Sequence, residues 1–216
     1  MLLLQLMKST RMNTNVLIKT LVLAGLVASA SSTKAIPIYD NLGAASGGAD
    51  PVAPYGPLYD SFTSSGSIQA ITGLQLALYG PGGAGTITVG LFSDSSTAPG
   101  ALIATLGTID DATISAGIND YTLSLVSDPL LAASTRYWIG LSDTGQSTSW
   151  AWSLDVSGTG VSGEYFANQN RVWPNNTYGP YQMTLSIGSV PEAGSTTAYL
   201  FGLGVAGLVV LRRKLA

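Results

Sequence analysis

The chain of 216 residues has no cysteine and no histidine. Without cysteine there is no disulfide and no thiolate metal site, and nothing in cysteine usage speaks to the redox compartment. Without histidine the commonest general base and metal ligand is missing, and every Ser-His or Cys-His nucleophile pair is excluded. Cations are nearly absent from the middle of the chain. Between Ile36 and Val190 only Arg136 and Arg171 are basic, against ten aspartates and Glu164, a net charge of -9. A field of that sign repels phosphate backbones and anionic lipid, so nucleic acid is excluded as a partner. The same stretch shows no helical hydrophobic period.

The other seven cations sit at the two ends. Lys8, Arg11 and Lys19 lead into an apolar run, Leu21 to Val27, followed by Ala28-Ser29-Ala30. This order is that of a secretory signal, expected over residues 1–30, with cleavage by signal peptidase after Ala30 or, as the second choice, after Ala35. The start is open between Met1, Met7 and Met12. A retained membrane helix is the alternative, but the apolar run falls short of the about 20 residues that a span needs.

At the other end Val190-Pro191-Glu192 precedes an apolar stretch, with a transmembrane helix expected over 195–211, and then the basic tail Arg212, Arg213 and Lys214. Seventeen residues is the lower limit for a span. The basic cluster should stay cytoplasmic, which places the acidic body outside. The three-part order resembles the PEP-CTERM sorting signal, here residues 190–216. The resemblance implies a membrane-embedded exosortase-type protease that recognises Pro191 and Glu192, residence in the inner membrane before processing, and an association with exopolysaccharide or biofilm. The family motif is Val-Pro-Glu-Pro, and Ala193 replaces its last proline. An ordinary single-span tail anchor is the alternative.

Removing both ends leaves one domain, 36–189, long enough to bury a core unaided. Its runs alternate at period two: Ile68, Ala70, Leu74, Leu76 and Leu78; Ile87, Val89 and Leu91; Tyr121, Leu123 and Leu125; Tyr137, Ile139 and Leu141; Trp150, Trp152 and Leu154; Tyr181, Met183, Leu185 and Ile187. Gly80-Pro81-Gly82-Gly83, Ser93 to Gly100, Ala116-Gly117 and Ser142 to Gln146 separate them as turns. The expected fold is all-β, an antiparallel β-sandwich or jelly-roll-like domain. Residues 36–57 read as a loosely held strand and loop. Tyr59-Asp60-Ser61-Phe62, Leu91-Phe92-Ser93-Asp94, Ala98-Pro99-Gly100 and Leu131 to Trp138 make the domain similar to the choice-of-anchor R family. That family brings no activity that transfers to particular residues.

Chemistry is thinly signalled. Glu164 is the one glutamate in the domain, and no spacing pairs it with an aspartate for glycoside hydrolysis, which needs two carboxylates about 5–10 Å apart. Asp110-Asp111 reads as two solvated turn carboxylates. Asp94-Ser95-Ser96, Asp110-Asp111 and Asp143 are the candidate calcium ligands, since oxygen suffices for that ion, though none follows a known loop pattern. No other cofactor is indicated. Aromatics carry the best binding signal. Trp150 and Trp152 share a strand face, where core is the ordinary role. Trp173-Pro174-Asn175-Asn176 reads as a loop, and loops on sandwiches carry sites. The candidate glycan-binding residues are therefore Trp173, Tyr178, Asn170 and Arg171. The expectation is an exported structural protein of the envelope or extracellular matrix without catalysis; a carbohydrate-binding module is the alternative, and a glycan-active enzyme using Glu164 with Tyr or Arg the third.

Overall fold

The computed structural model describes residues 35–176 and 179–189. Thirteen strands are found among them: β1 Ile36–Asp40, β2 Ser46–Pro51, β3 Leu58–Thr63, β4 Gln69–Tyr79, β5 Thr86–Asp94, β6 Pro99–Asp110, β7 Ile118–Thr122, β8 Leu130–Leu131, β9 Arg136–Asp143, β10 Ser149–Ser153, β11 Tyr165–Asn168, β12 Arg171–Pro174 and β13 Met183–Ser189. One helical turn, Val52–Tyr55, and one 3-10 turn, Asp111–Thr113, are the described helical segments. The strands form two sheets. The first runs β1-β13-β4-β10-β2, with β7 and β8 also pairing β4; the second runs β12-β11-β3-β9-β5-β6. Every strand pairing is antiparallel.

Both sheets contribute to one core. Leu74, Leu76, Leu78, Trp150, Met183, Leu185 and Ile187 come from the first; Leu58, Phe62, Ile87, Val89, Leu91, Ile139 and Leu141 come from the second. Alternation in β5, β9 and β13 places these side chains inward as the period-two pattern requires. Each fully buried aliphatic or aromatic side chain stabilises the fold by about 1.5–3 kcal/mol before conformational entropy is counted.

Four sequence expectations change. The 36–57 stretch is firmly held: Tyr39 and Val52 are fully buried, Asn41 Nδ2 donates to Tyr181 O, and Asn41 Oδ1 accepts from Met183 N. Ile68 is not inward but 62% exposed. Ser186 pairs with Gly73 while Ile187 pairs with Ile71, so Thr72 is an extra residue in β4 and the inward parity switches to Ile71. Leu154 is likewise exposed, beyond the end of β10. Trp138 lies opposite in parity to Tyr137 and Ile139 yet is fully buried, and its indole Nε1 donates to Asp94 Oδ1 at 2.9 Å. The signal at 1–30, the sorting motif and helix at 190–211 and the basic tail at 212–214 lie outside the described residues, as does Tyr178.

Candidate functional site

An open cleft of about 560 Å³ lies where β2 and β10 of the first sheet approach the β11–β12 hairpin of the second. Its lining includes Asp50, Trp152, Phe166, Asn168, Trp173 and Asn176. The hairpin is built locally. Gln169 and Asn170 both take positive φ, 47° and 60°, the conformation of a two-residue primed turn, which suits the twist of the flanking strands. This turn brings Phe166 opposite Trp173, and their rings stack with centroids 5.4 Å apart and planes 16° from parallel. Behind them Phe166 meets Tyr181 edge-on at 6.0 Å, and Tyr181 stacks on Trp150 at 4.7 Å. Four rings thus run from the half-buried Trp173 to the fully buried Trp150.

Polar groups cluster beside that row. Asp50 Oδ2 accepts from the Tyr181 hydroxyl at 2.7 Å and from Asn168 Nδ2 at 2.9 Å. Burial, reinforced by the Asp50 charge, pushes the Tyr181 phenol far above its ordinary value, so it stays a donor at every physiological pH. On the other wall the half-buried Trp152 pairs in register with Gly48 of β2, and its ring lies over Gly47 and Gly48. Partly exposed ring faces beside a carboxylate and amides can hold a polar ligand that has apolar faces, as a sugar ring has. Asp50 is the one carboxylate among the described lining residues, and two-carboxylate glycoside hydrolysis needs a second.

The sequence candidates are only partly gathered here. Trp173 lines the cleft, but from strand β12 rather than from a loop. Asn170 sits at the exposed tip of the hairpin turn and Arg171 beside it, and neither lines the cleft. Asn175 is buried, and its Nδ2 donates to Val161 O at 3.3 Å. Asp50 and Phe166 were missed. The signal available for Phe166 was the spacing of two four-residue strands around Gln169-Asn170; for Asp50 there was none, because β2 meets β10 across a hundred residues of chain.

Glu164 is not with Arg171. It is buried, ion-paired with Arg136 Nε at 2.8 Å, and accepts from Ser61 Oγ at 2.6 Å and from Thr63 Oγ1. Close by, Asp60 is fully buried and accepts from the Tyr39 hydroxyl and from Tyr181 N. Desolvation pushes the Asp60 carboxyl well above the usual carboxylate range. These groups knit the strands β3, β9 and β11 together within the core. Asp94 binds Trp138 and accepts from Thr97 N. Asp110 accepts from Ala112 N in its own turn, whereas Asp111, expected to be solvated, is fully buried because the loops around Gly85 and Gly145 close over it. Compared with known proteins, the chain matches no family model, no curated protein and no solved structure.

Proposed function

We propose that this chain is an exported, non-catalytic protein of the cell envelope or extracellular matrix whose jelly-roll-like sandwich holds a saccharide in the cleft between Trp152 and Trp173. The observation that carries the reading is the pairing of two half-buried indoles with Phe166, Asp50 and Asn168 in one open cleft. Stacked rings offer apolar faces to the C–H side of a sugar, and the carboxylate and amide offer acceptors and donors to its hydroxyls. The strongly acidic body disfavours anionic polymers, so a neutral glycan is the better ligand.

The ends support export. In this reading signal peptidase removes the N-terminal segment, the apolar 195–211 helix holds the chain in the inner membrane with Arg212, Arg213 and Lys214 in the cytoplasm, and an exosortase-type protease acts near Val190-Pro191-Glu192. The mature domain then stands among exopolysaccharide at the surface.

A glycan array probed with the full chain and with Trp173→Ala tests the cleft. Retention of a neutral glycan by the native chain and its loss in the variant support the reading. If no acidic or neutral glycan is retained, the saccharide role falls and a purely structural envelope role is left.

A further inference from the structure

We propose that this domain carries, apart from the aromatic cleft, a binding site for one calcium ion between Asp111 and Asp143. Asp111 opens the 3-10 turn after β6, and Asp143 closes β9. Each carboxylate has one oxygen engaged: Asp111 Oδ1 accepts from Thr148 Oγ1 at 3.1 Å, and Asp143 Oδ1 accepts from Gly145 N at 2.7 Å. The second oxygens, Asp111 Oδ2 and Asp143 Oδ2, are both buried and both without a partner. Asp111 itself is fully buried.

Further oxygens converge on the same place. A Cβ at Gly145 would press on Asp111 Oδ2 while standing 2.7 Å from the Ala84 carbonyl and 3.3 Å from Asp143 Oδ1. A Cβ at Gly85 would also meet Asp111 Oδ2. At Gly145 the three nearest atoms are thus all oxygens, whereas at Gly85 the Gly145 backbone also packs close, so neither position has room for a side chain beside that oxygen.

Two like charges with buried, unpaired oxygens need a counter-charge. The single ion pair among the described residues joins Arg136 and Glu164, so no guanidinium serves this pair. A hard divalent cation does. Calcium accepts carboxylate, carbonyl, hydroxyl and water oxygens in flexible numbers, whereas magnesium demands strict octahedral geometry and sheds water reluctantly. No group of three or more acidic, His or Cys side chains is placed to hold a metal ion among the described residues, so carbonyl and water must complete the shell. Two protein charges place the affinity at about 10⁻⁴–10⁻³ M, the range of extracellular calcium modules.

The test is a thermal melt and a calorimetric titration of the full chain with calcium chloride, magnesium chloride or EGTA. Calcium at about ten times the dissociation constant should raise the native midpoint by roughly 3–6 °C over EGTA, with one ion bound and magnesium far weaker. Asp143→Asn should lose both the shift and the heat, while the exposed-loop control Asp155→Asn keeps them. Gly145→Ala gives a second route, since its methyl group fills the space beside Asp111 Oδ2. The site is refuted if the native chain shows neither heat nor shift with calcium up to about 10 mM, well above that affinity range, which would leave the two carboxyls sharing a proton. It is equally refuted if Asp143→Asn responds as the native chain does.

Discussion

Gly47 lies directly under the indole of Trp152, so close that a Cβ there would overlap Cζ3 of the ring. The glycine sets the height of one wall of the cleft. Gly47→Ala must lift Trp152 or bend β2, at a cost of about 1–3 kcal/mol. The expected outcome is a folded protein with a lowered denaturation midpoint and weakened glycan retention. Unchanged retention would show that the position of Trp152 does not matter to the ligand.

The Arg136–Glu164 pair makes a second prediction. Arg136 is the partner cation of a carboxylate that is buried and otherwise satisfied by two hydroxyls. Its guanidinium also lies 4.9 Å from the Tyr165 ring centroid. Arg136→Ala strands the charge, and because the arginine is a quarter exposed the loss should be about 2–3 kcal/mol rather than the 3–5 kcal/mol of a sealed pair. Arg136→Lys should recover part of this, lacking the fork and the stacking. Urea denaturation of the three proteins measures it.

Asp60 gives the stability a pH dependence of unusual sign. Its native carboxyl titrates well above its unfolded value, chiefly because it is desolvated. Between the unfolded value, about 4, and the raised native one, the folded state holds a proton that the unfolded chain has released. Stability from this group is therefore fully present below about pH 4 and is lost as pH rises through the native value. Thermal midpoints measured from acid to neutral pH should fall with a slope that Asp60→Asn reduces. Equal slopes in the two proteins would contradict the assignment.

Much of the sandwich was legible because β5 and β13 each have one inward and one outward row, which period two reports directly. What escaped has identifiable causes. An extra residue at Thr72 reverses parity within β4, so Ile68 was read as inward and Ile71 passed over. Trp138 is buried on the face away from the core row, which alternation assigns to solvent. The cleft depended on β2 meeting β10 and on β11 meeting β3, contacts about a hundred residues apart in sequence. Trp173 could be singled out because it adjoined turn residues; Asp50 and Gly47 carry no local mark. Asp111 and Asp143 were both named as calcium ligands, but their meeting across two loops was invisible from spacing.

The termini lead to a prediction about the mature protein. Mass spectrometry of the protein recovered from the envelope should find it ending upstream of the apolar stretch, without Arg212, Arg213 and Lys214. Substituting Pro191 and Glu192 together should leave the tail attached. A native mature form that retains Lys214 contradicts processing at that motif.

The most direct measurement is affinity electrophoresis of the full chain and Trp173→Ala, side by side, through gels with and without the extracellular polysaccharide of the producing cells. The account predicts that the native protein is retarded by the polysaccharide and that the variant, folded by its thermal melt, runs as it does in the empty gel. Equal mobility of the native protein in both gels, or equal retardation of the variant, would contradict a saccharide held between Trp152 and Trp173.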